Sequence, residues 1–287
     1  MTSPRKHEVR NRVALAAAAV LLFSTAAIAQ KKELRYTVGQ GATVSVNNNS
    51  GSITVRPGSG AQVIVEATAR SSKVEVDGAQ SGNRVDLRTH FLQPATGEDA
   101  RVDYDIQVPS GTNIVVHTAA GPVSVHDLKG DISVDGDNAS VAVRDVAGNN
   151  LRVRTIGGPI TLAGLSTGYL EATSVGGAIS VNGVASKLLS INTTTGAINY
   201  SGDFAGAGEY SLSSHSGNID VAIPANASVD ITARTVSGSV ENDFPFQPQP
   251  HPTMSLAQGK SFGGVSNSGA SSVRLRTFSG RIRVKKQ

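Results

Sequence analysis

Gly176-Gly177-Ala178-Ile179-Ser180-Val181 is followed by Thr195-Gly196-Ala197-Ile198-Asn199-Tyr200, and the second glycine of the first phrase lies 19 residues before the glycine of the second. The phrase occurs upstream as Gly157-Gly158-Pro159-Ile160-Thr161-Leu162. Downstream it returns as Ser216-Gly217-Asn218-Ile219-Asp220-Val221, Ser237-Gly238-Ser239-Val240 and Ser279-Gly280-Arg281-Ile282-Arg283-Val284. From Gly158 to Gly238 the steps are 19, 19, 21 and 21 residues; Ala139 takes the glycine slot one step earlier, and Gly121 and Gly51 head further copies. A second phrase precedes these glycines at 151–155, 170–174, 189–193, 210–214, 229–233 and 273–277. Both phrases alternate apolar and polar residues, the period of a strand with one buried face. The glycine between them marks a corner where positive φ or close packing is tolerated. One such unit cannot bury its apolar side alone, whereas a stack of them can. The sequence therefore predicts an all-β fold, a parallel β-solenoid (single-stranded β-helix) with coils of about 19–21 residues and two strands per coil.

Alternation also predicts the register. Val153, Ala172, Ile191, Leu212, Ile231 and Leu275 should point inward in one column, and Ile160, Ile179, Ile198, Ile219, Val240 and Ile282 in another. Outward residues on adjacent coils lie about 4.8 Å apart, which sets Asp135 beside Arg154 and Arg152 beside Glu171. Two stretches interrupt the period. Residues 61–107 hold alternating strands separated by turn residues, and read as a β-hairpin excursion covering the N-terminal end or one side. Residues 243–272 begin Asp243-Phe244-Pro245-Phe246 and continue through Pro248, Pro250 and Pro252, which lack the ladder donor, so they read as a Pro/Gly-rich loop excursion. After it, the Gly280 coil should stack on the Gly238 coil, with Arg274 beside Asp230 and Arg283 beside Glu241.

The first 29 residues read as a secretory signal peptide. Arg5, Lys6, Arg10 and Arg12 precede an apolar run from Val13 to Ile28, and Ala27-Ile28-Ala29 ends it with a small-residue cleavage site. The run is short for a membrane span, although retention as an anchor is the alternative. The remaining chain, 30–287, is then a single exported solenoid domain located in the periplasm, on the outer surface or in the medium. The whole chain has 26 Lys+Arg against 22 Asp+Glu, but the leader holds four of the bases and one of the acids, so +4 falls to +1 without it. That near-neutral balance argues against nucleic acid as a partner. With no cysteine there is neither a disulfide nor a thiolate nucleophile.

Few residues suggest chemistry. His117 and His126 flank one corner and could lie near each other, with Asp127 the one adjacent ligand type; outward polar positions are the competing reading. Asp220 and Glu241 fall at equivalent positions of what the period makes adjacent coils, a spacing close to a retaining glycosidase pair. Two solvated charges beside Arg283 are the alternative. Arg274, Arg276, Arg281, Arg283, Lys285 and Lys286 concentrate positive charge in the last coil. They form either a stripe for an anionic ligand or partner or charge that protects an exposed final strand from edge-to-edge pairing. No catalytic, cofactor or metal residue emerges from this pattern.

Val108-Pro109-Ser110-Gly111-Thr112-Asn113-Ile114-Val115-Val116 leading to Gly121, Ile223-Pro224-Ala225-Asn226-Ala227-Ser228-Val229-Asp230-Ile231 leading to Gly238, and the C-terminal phrase ending Ser279-Gly280-Arg281-Ile282-Arg283-Val284 resemble the bacterial DUF4097/DUF4098 group of adhesin-labelled proteins, related to the DUF2807 adhesin-head family. The resemblance spans 34–284 and implies an exported envelope β-solenoid without catalytic residues or cofactor. On this basis the expected function is a non-enzymatic adhesin or scaffold that binds envelope polysaccharide, lipid or a surface protein. The alternatives are a polysaccharide-active β-helix enzyme using Asp220 and Glu241, and an envelope-stress module binding lipids or cationic peptides.

Overall fold

The structure, a computed structural model, describes residues 30–204, 206–248 and 259–287. The expected leader and His251 lie outside the described residues. What is described is the predicted parallel β-solenoid: two sheets of stacked strands enclose a core of Val, Ile, Leu and Ala side chains. In the first sheet Leu151, Leu170 and Leu189 form one inward column, and Val153, Ala172 and Ile191 the next. In the second, Val141, Ile160, Ile179, Ile198 and Ile219 stack in register. Outward, Arg154 lies beside Asp135 and Arg152 beside Glu171, as predicted.

The corner glycine is required by close approach. A Cβ on Gly177 would lie 2.0 Å from the Gly158 carbonyl oxygen, and one on Gly196 would lie 2.0 Å from that of Gly177. The same contact recurs between Gly217 and Gly196 and between Gly158 and Ala139, at 1.8 Å each. Three residues before the glycine stands a buried Ser or Thr whose hydroxyl accepts the glycine N–H. The pairs are Ser174 with Gly177 at 2.9 Å, Thr193 with Gly196 at 3.0 Å and Ser214 with Gly217 at 2.8 Å. A Cβ at the glycine would also press on that hydroxyl, 2.8 Å away at Gly177. The Ala139 coil solves the conflict in reverse. Its hydroxyl slot is filled by Gly136, where a Cβ would sit 2.7 Å from the Ala139 methyl.

The middle coils carry a third short run beyond the two predicted strands. Ala147 and Gly148 pair with Ser166 and Thr167, and 165–167 pair with 184–186. Asp127, Asp145, Gly164 and Gly183 introduce it with φ of 58°, 53°, 62° and 58°. One apolar residue per coil, Leu128, Val146, Leu165 or Val184, closes the core there. A single apolar position carries no alternation, so the sequence pattern gives this side no signal.

The order of coils departs from the sequence at both ends. The Gly280 coil does stack on the Gly238 coil, but it is inserted between that coil and the Gly217 coil. Tyr210, Ser211, Leu212 and Ser213 pair with Val273, Arg274, Leu275 and Arg276 on one side, and Ile231, Thr232, Ala233 and Arg234 pair with the same four on the other. The second sheet repeats the insertion, with Ile219 and Val240 both paired to Ile282. The expected column containing Ile231 and Leu275 is therefore out of register by two residues. Leu275 pairs with Ala233, and Ile231 with Val273. Arg274 consequently sits beside Thr232, and not beside Asp230. The reliable marker is the hydroxyl three residues before the glycine, Thr235 for Gly238 and Thr277 for Gly280.

The N-terminal end is built the same way. Within the 61–107 excursion, Arg84–Phe91 and Val102–Val108 form a further parallel coil on Thr43–Ser50 and Ile53–Pro57, which themselves pair with 113–125. The first coil in sequence is thus second in the stack. Antiparallel strands then cover both ends. Val74–Ser81 and Gln62–Ala69, with Gln30–Thr37 beyond, lie over the N-terminal coil; Ser261–Ser266, backed by Gln247–Pro248, lies over the Gly238 coil. Part of the 243–272 stretch is therefore a capping strand where a loop is predicted.

Two predictions follow from these contacts. Gly196→Ala should lower unfolding stability by about 1–3 kcal/mol through overpacking, whereas Gly206→Ala, with nothing within 4 Å of the new methyl, should change it little; urea titration of both variants reads the difference. In this cysteine-free chain, the pair Ser213→Cys and Arg276→Cys should oxidise to a disulfide. The pair Ser213→Cys and Arg234→Cys should not, because the Gly280 coil stands between them; thiol quantification after mild oxidation distinguishes the two coil orders.

Candidate functional site

The hydroxyls of Ser174, Thr193 and Ser214 are committed to the corners, and the surfaces open to a ligand are the outer faces of the two sheets. On the first sheet, successive coils place Arg88, Asn47, His117, Asp135 and Arg154 in one outward row. An open depression on this face is lined by Asn47, Asn49, His117, Asp135, Asp137 and Arg154. A neighbouring depression is lined by Asn113, Asp131, Asn150, Arg152 and Tyr169.

The carboxylates here are held by neighbours one coil away. Asp131 accepts the backbone N–H groups of Asn149 and Asn150 at 2.9 and 3.0 Å and the Asn150 side-chain amide at 3.0 Å. Partial burial pushes its carboxyl upward, but those bonds outweigh it and hold the group below the ordinary aspartate range. Glu171 is 14% exposed and takes both Arg152, at 3.1 Å, and Arg154, at 2.9 Å, while the Tyr169 hydroxyl donates to it at 3.1 Å. Burial again raises the carboxyl, and the Arg154 and Tyr169 bonds with the arginine charges bring it below the usual glutamate value. Arg152 and Arg154 are thus balanced by Glu171 and by Asp135 beside Arg154, and the face mixes both signs of charge with polar rows that can donate and accept hydrogen bonds. His117 lies 3.6 Å from Asp135.

The residues singled out in the sequence are dispersed. His117 lies on the first sheet and His126 on the second, so they face different sides, and His126 contacts Asp127 at 2.8 Å. Among the described residues no group of three or more His, Asp or Glu side chains is placed to hold a metal. Asp220 and Glu241 are not on adjacent coils, because Arg283 pairs with both and stands between them. Arg283, with its guanidinium 3.0 Å from Asp243, occupies the strand position between them and removes the adjacent carboxylate pair that the glycosidase reading requires. Arg274 and Arg276 project from the first sheet, while Arg281, Arg283 and Lys285 follow the corner onto the second and Lys286 ends its last strand. The basic residues therefore form two groups on different faces. The strands carrying Arg274, Arg276 and Arg283 are paired on both sides, so edge protection does not apply to them, whereas Lys285 and Lys286 pair on one side only, with Ala222 and Ile223.

At the N-terminal end, Asp103 ties the capping strands together. It accepts the Ser52 backbone N–H at 2.8 Å and the Ser52 hydroxyl at 2.9 Å, and it pairs with Arg70 and, at 3.1 Å, with Arg101. Burial raises this carboxyl, but the bonds from Ser52, Arg70 and Arg101 prevail and lower it from 3.8 to about 2. A carboxyl depressed in the folded state stabilises above its unfolded value and loses that contribution as pH falls through the folded one. Acid titration should therefore weaken the N-terminal cap between about pH 4 and about pH 2, read as amide exchange in Gln62–Ala69. Asp103→Asn should be less stable at neutral pH and lose this pH dependence.

Stacked parallel coils, swapped and capped at each end, with open polar outer faces, define a β-solenoid of the toastrack kind. The chain matches the Toastrack DUF4097 family model over residues 42–285 and belongs to that family. Solved structures that the chain matches include a "putative adhesin" from Bacteroides fragilis NCTC 9343, 14% identical, covering 89% of this chain and 97% of its own with a TM-score of 0.42. Another is a "putative adhesin" from Parabacteroides merdae ATCC 43184, 9% identical, covering 91% and 98% with a TM-score of 0.42. A "putative lipid binding protein" from Parabacteroides distasonis ATCC 8503 is 9% identical, covering 90% and 96% with a TM-score of 0.38. No curated protein matches. Among the described residues no helix is long and apolar enough to cross a membrane.

Proposed function

We propose that this protein is a non-enzymatic, exported module of the cell envelope that acts as an adhesin or scaffold by holding a polar polymer against its outer face. The observation that carries this reading is the row Asn47, His117, Asp135 and Arg154, which lines an open depression across successive coils. Donors and acceptors repeating at about 4.8 Å along the stack suit an extended, hydroxyl-rich chain lying across the strands. Such a surface gains affinity from many modest hydrogen bonds on a rigid support and needs no enclosed pocket. Envelope polysaccharide is the ligand class that best fits these rows. The leader predicted over residues 1–29 would deliver the chain to that compartment.

Co-sedimentation of the chain beginning at Gln30 with insoluble envelope polysaccharide tests the reading. Binding should be saturable, release no reducing sugar, and weaken by about tenfold in His117→Ala with Arg154→Ala, a loss of roughly 1.4 kcal/mol. Equal binding by that variant would remove the site from this face, and sugar release would end the non-enzymatic assignment.

A further inference from the structure

The residue that follows the slot three before the corner glycine, a buried Ser or Thr in most coils, stands at the outer tip of the corner, and these tips form a row along the solenoid. At the N-terminal end the tips are Asn49, Ala119 and Asp137; then come Ile156, Val175 and the polar Thr194, and toward the other end His215, Phe278 and Val236. The apolar ones are open to solvent, with Ile156 55%, Val175 49%, Phe278 49% and Val236 52% exposed. Phe278 is ordered against the His215 ring, with centroids 5.0 Å apart and planes 5° from parallel, and the Val236 N–H donates to the Phe278 carbonyl at 3.1 Å.

Cations flank this end of the ridge on both sides. Arg276 and Arg234 are directly paired on the first sheet, both exposed, and neither makes an ion pair among the described residues. Adjacent like charges on neighbouring strands are destabilising unless an anion lies over them. Arg281 stands on the second-sheet side, 3.9 Å from Asp220, and the Lys260 ammonium donates to the Val236 carbonyl at 3.1 Å. Apolar tips projecting from this edge beside the unpaired cations Arg234 and Arg276 complement a surface that is anionic at its boundary and apolar just beneath it.

We propose that the Phe278–Val236 end of the corner ridge docks on an anionic lipid bilayer, the two apolar side chains entering the headgroup boundary and Arg234 and Arg276 meeting lipid phosphates. This surface is separate from the polar rows around His117, so the two assignments stand or fall independently. The test is co-sedimentation of the chain beginning at Gln30 with phosphatidylglycerol–phosphatidylcholine vesicles and with phosphatidylcholine alone. The native chain should bind the first and not the second, and added salt should weaken it. Phe278→Ser with Val236→Ser, and separately Arg234→Glu with Arg276→Glu, should each lower partitioning at least about tenfold. Leu92→Ser, which removes another exposed apolar side chain away from this ridge, should leave it unchanged, with thermal unfolding confirming that all variants fold. Failure of the native chain to bind anionic vesicles overturns the proposal, as does binding that neither double substitution reduces. A dimer seen by light scattering that Phe278→Ser with Val236→Ser dissolves would assign the ridge to a second copy of the chain and overturn the lipid assignment.

Discussion

The approach of each corner glycine to the carbonyl of the neighbouring coil is the constraint on which the rest of the structure depends. At Gly177 and Gly196 a methyl group would come within 2.0 Å of that oxygen, so the residue type at this slot is fixed by space. The consequence reaches both sheets, because the corner joins them and sets the height of every strand that leaves it. The buried hydroxyl three residues earlier satisfies the glycine N–H, which would otherwise be orphaned in the interior. Stacked apolar columns supply cohesion, and the corner supplies register.

A stack of parallel strands ends in open edges, and parallel sheets are usually found covered. Here the two ends meet that requirement by one construction. The terminal coil in space is not the terminal coil in sequence, and the segment tied to it turns back as antiparallel strands over the exposed edge. At the N-terminal end Asp103 cross-links the cap through Ser52, Arg70 and Arg101. At the C-terminal end the last coil, paired on both sides, holds the preceding one in place. Arg276, on a strand paired on both sides and without an ion pair among the described residues, is consequently open to contacts outside the fold.

These arrangements explain which functional readings survive. A pair of carboxylates at Asp220 and Glu241 exists only if chain order equals stacking order, and Arg283 occupies the place between them. The basic C-terminal segment divides between two faces because its strands turn the corner at Gly280. The outer rows, by contrast, are compatible with recognition by many weak contacts, and the ridge at Phe278 combines apolar exposure with unpaired cations.

The sequence by itself determined the repeat, the alternation within each strand and the glycine slot, including Ala139 as its substitute, since these follow from side-chain periodicity and the space at one backbone position. It placed Arg154 beside Asp135 and Arg152 beside Glu171 because within an unbroken run adjacent coils in sequence are adjacent in space. Tertiary structure decided the rest. A period of about twenty residues is satisfied equally by a coil appended at the end and by one inserted a level earlier, so the place of the Gly280 coil depended on which neighbours could fill its two edges. The two-residue slip at 229–233 has a related cause, because strand alternation is unchanged by a shift of two and only the hydroxyl of Thr235 bonded to Gly238 fixes the register. The third short run, with one apolar residue per coil, and the exposed ridge became visible only when the corners were stacked.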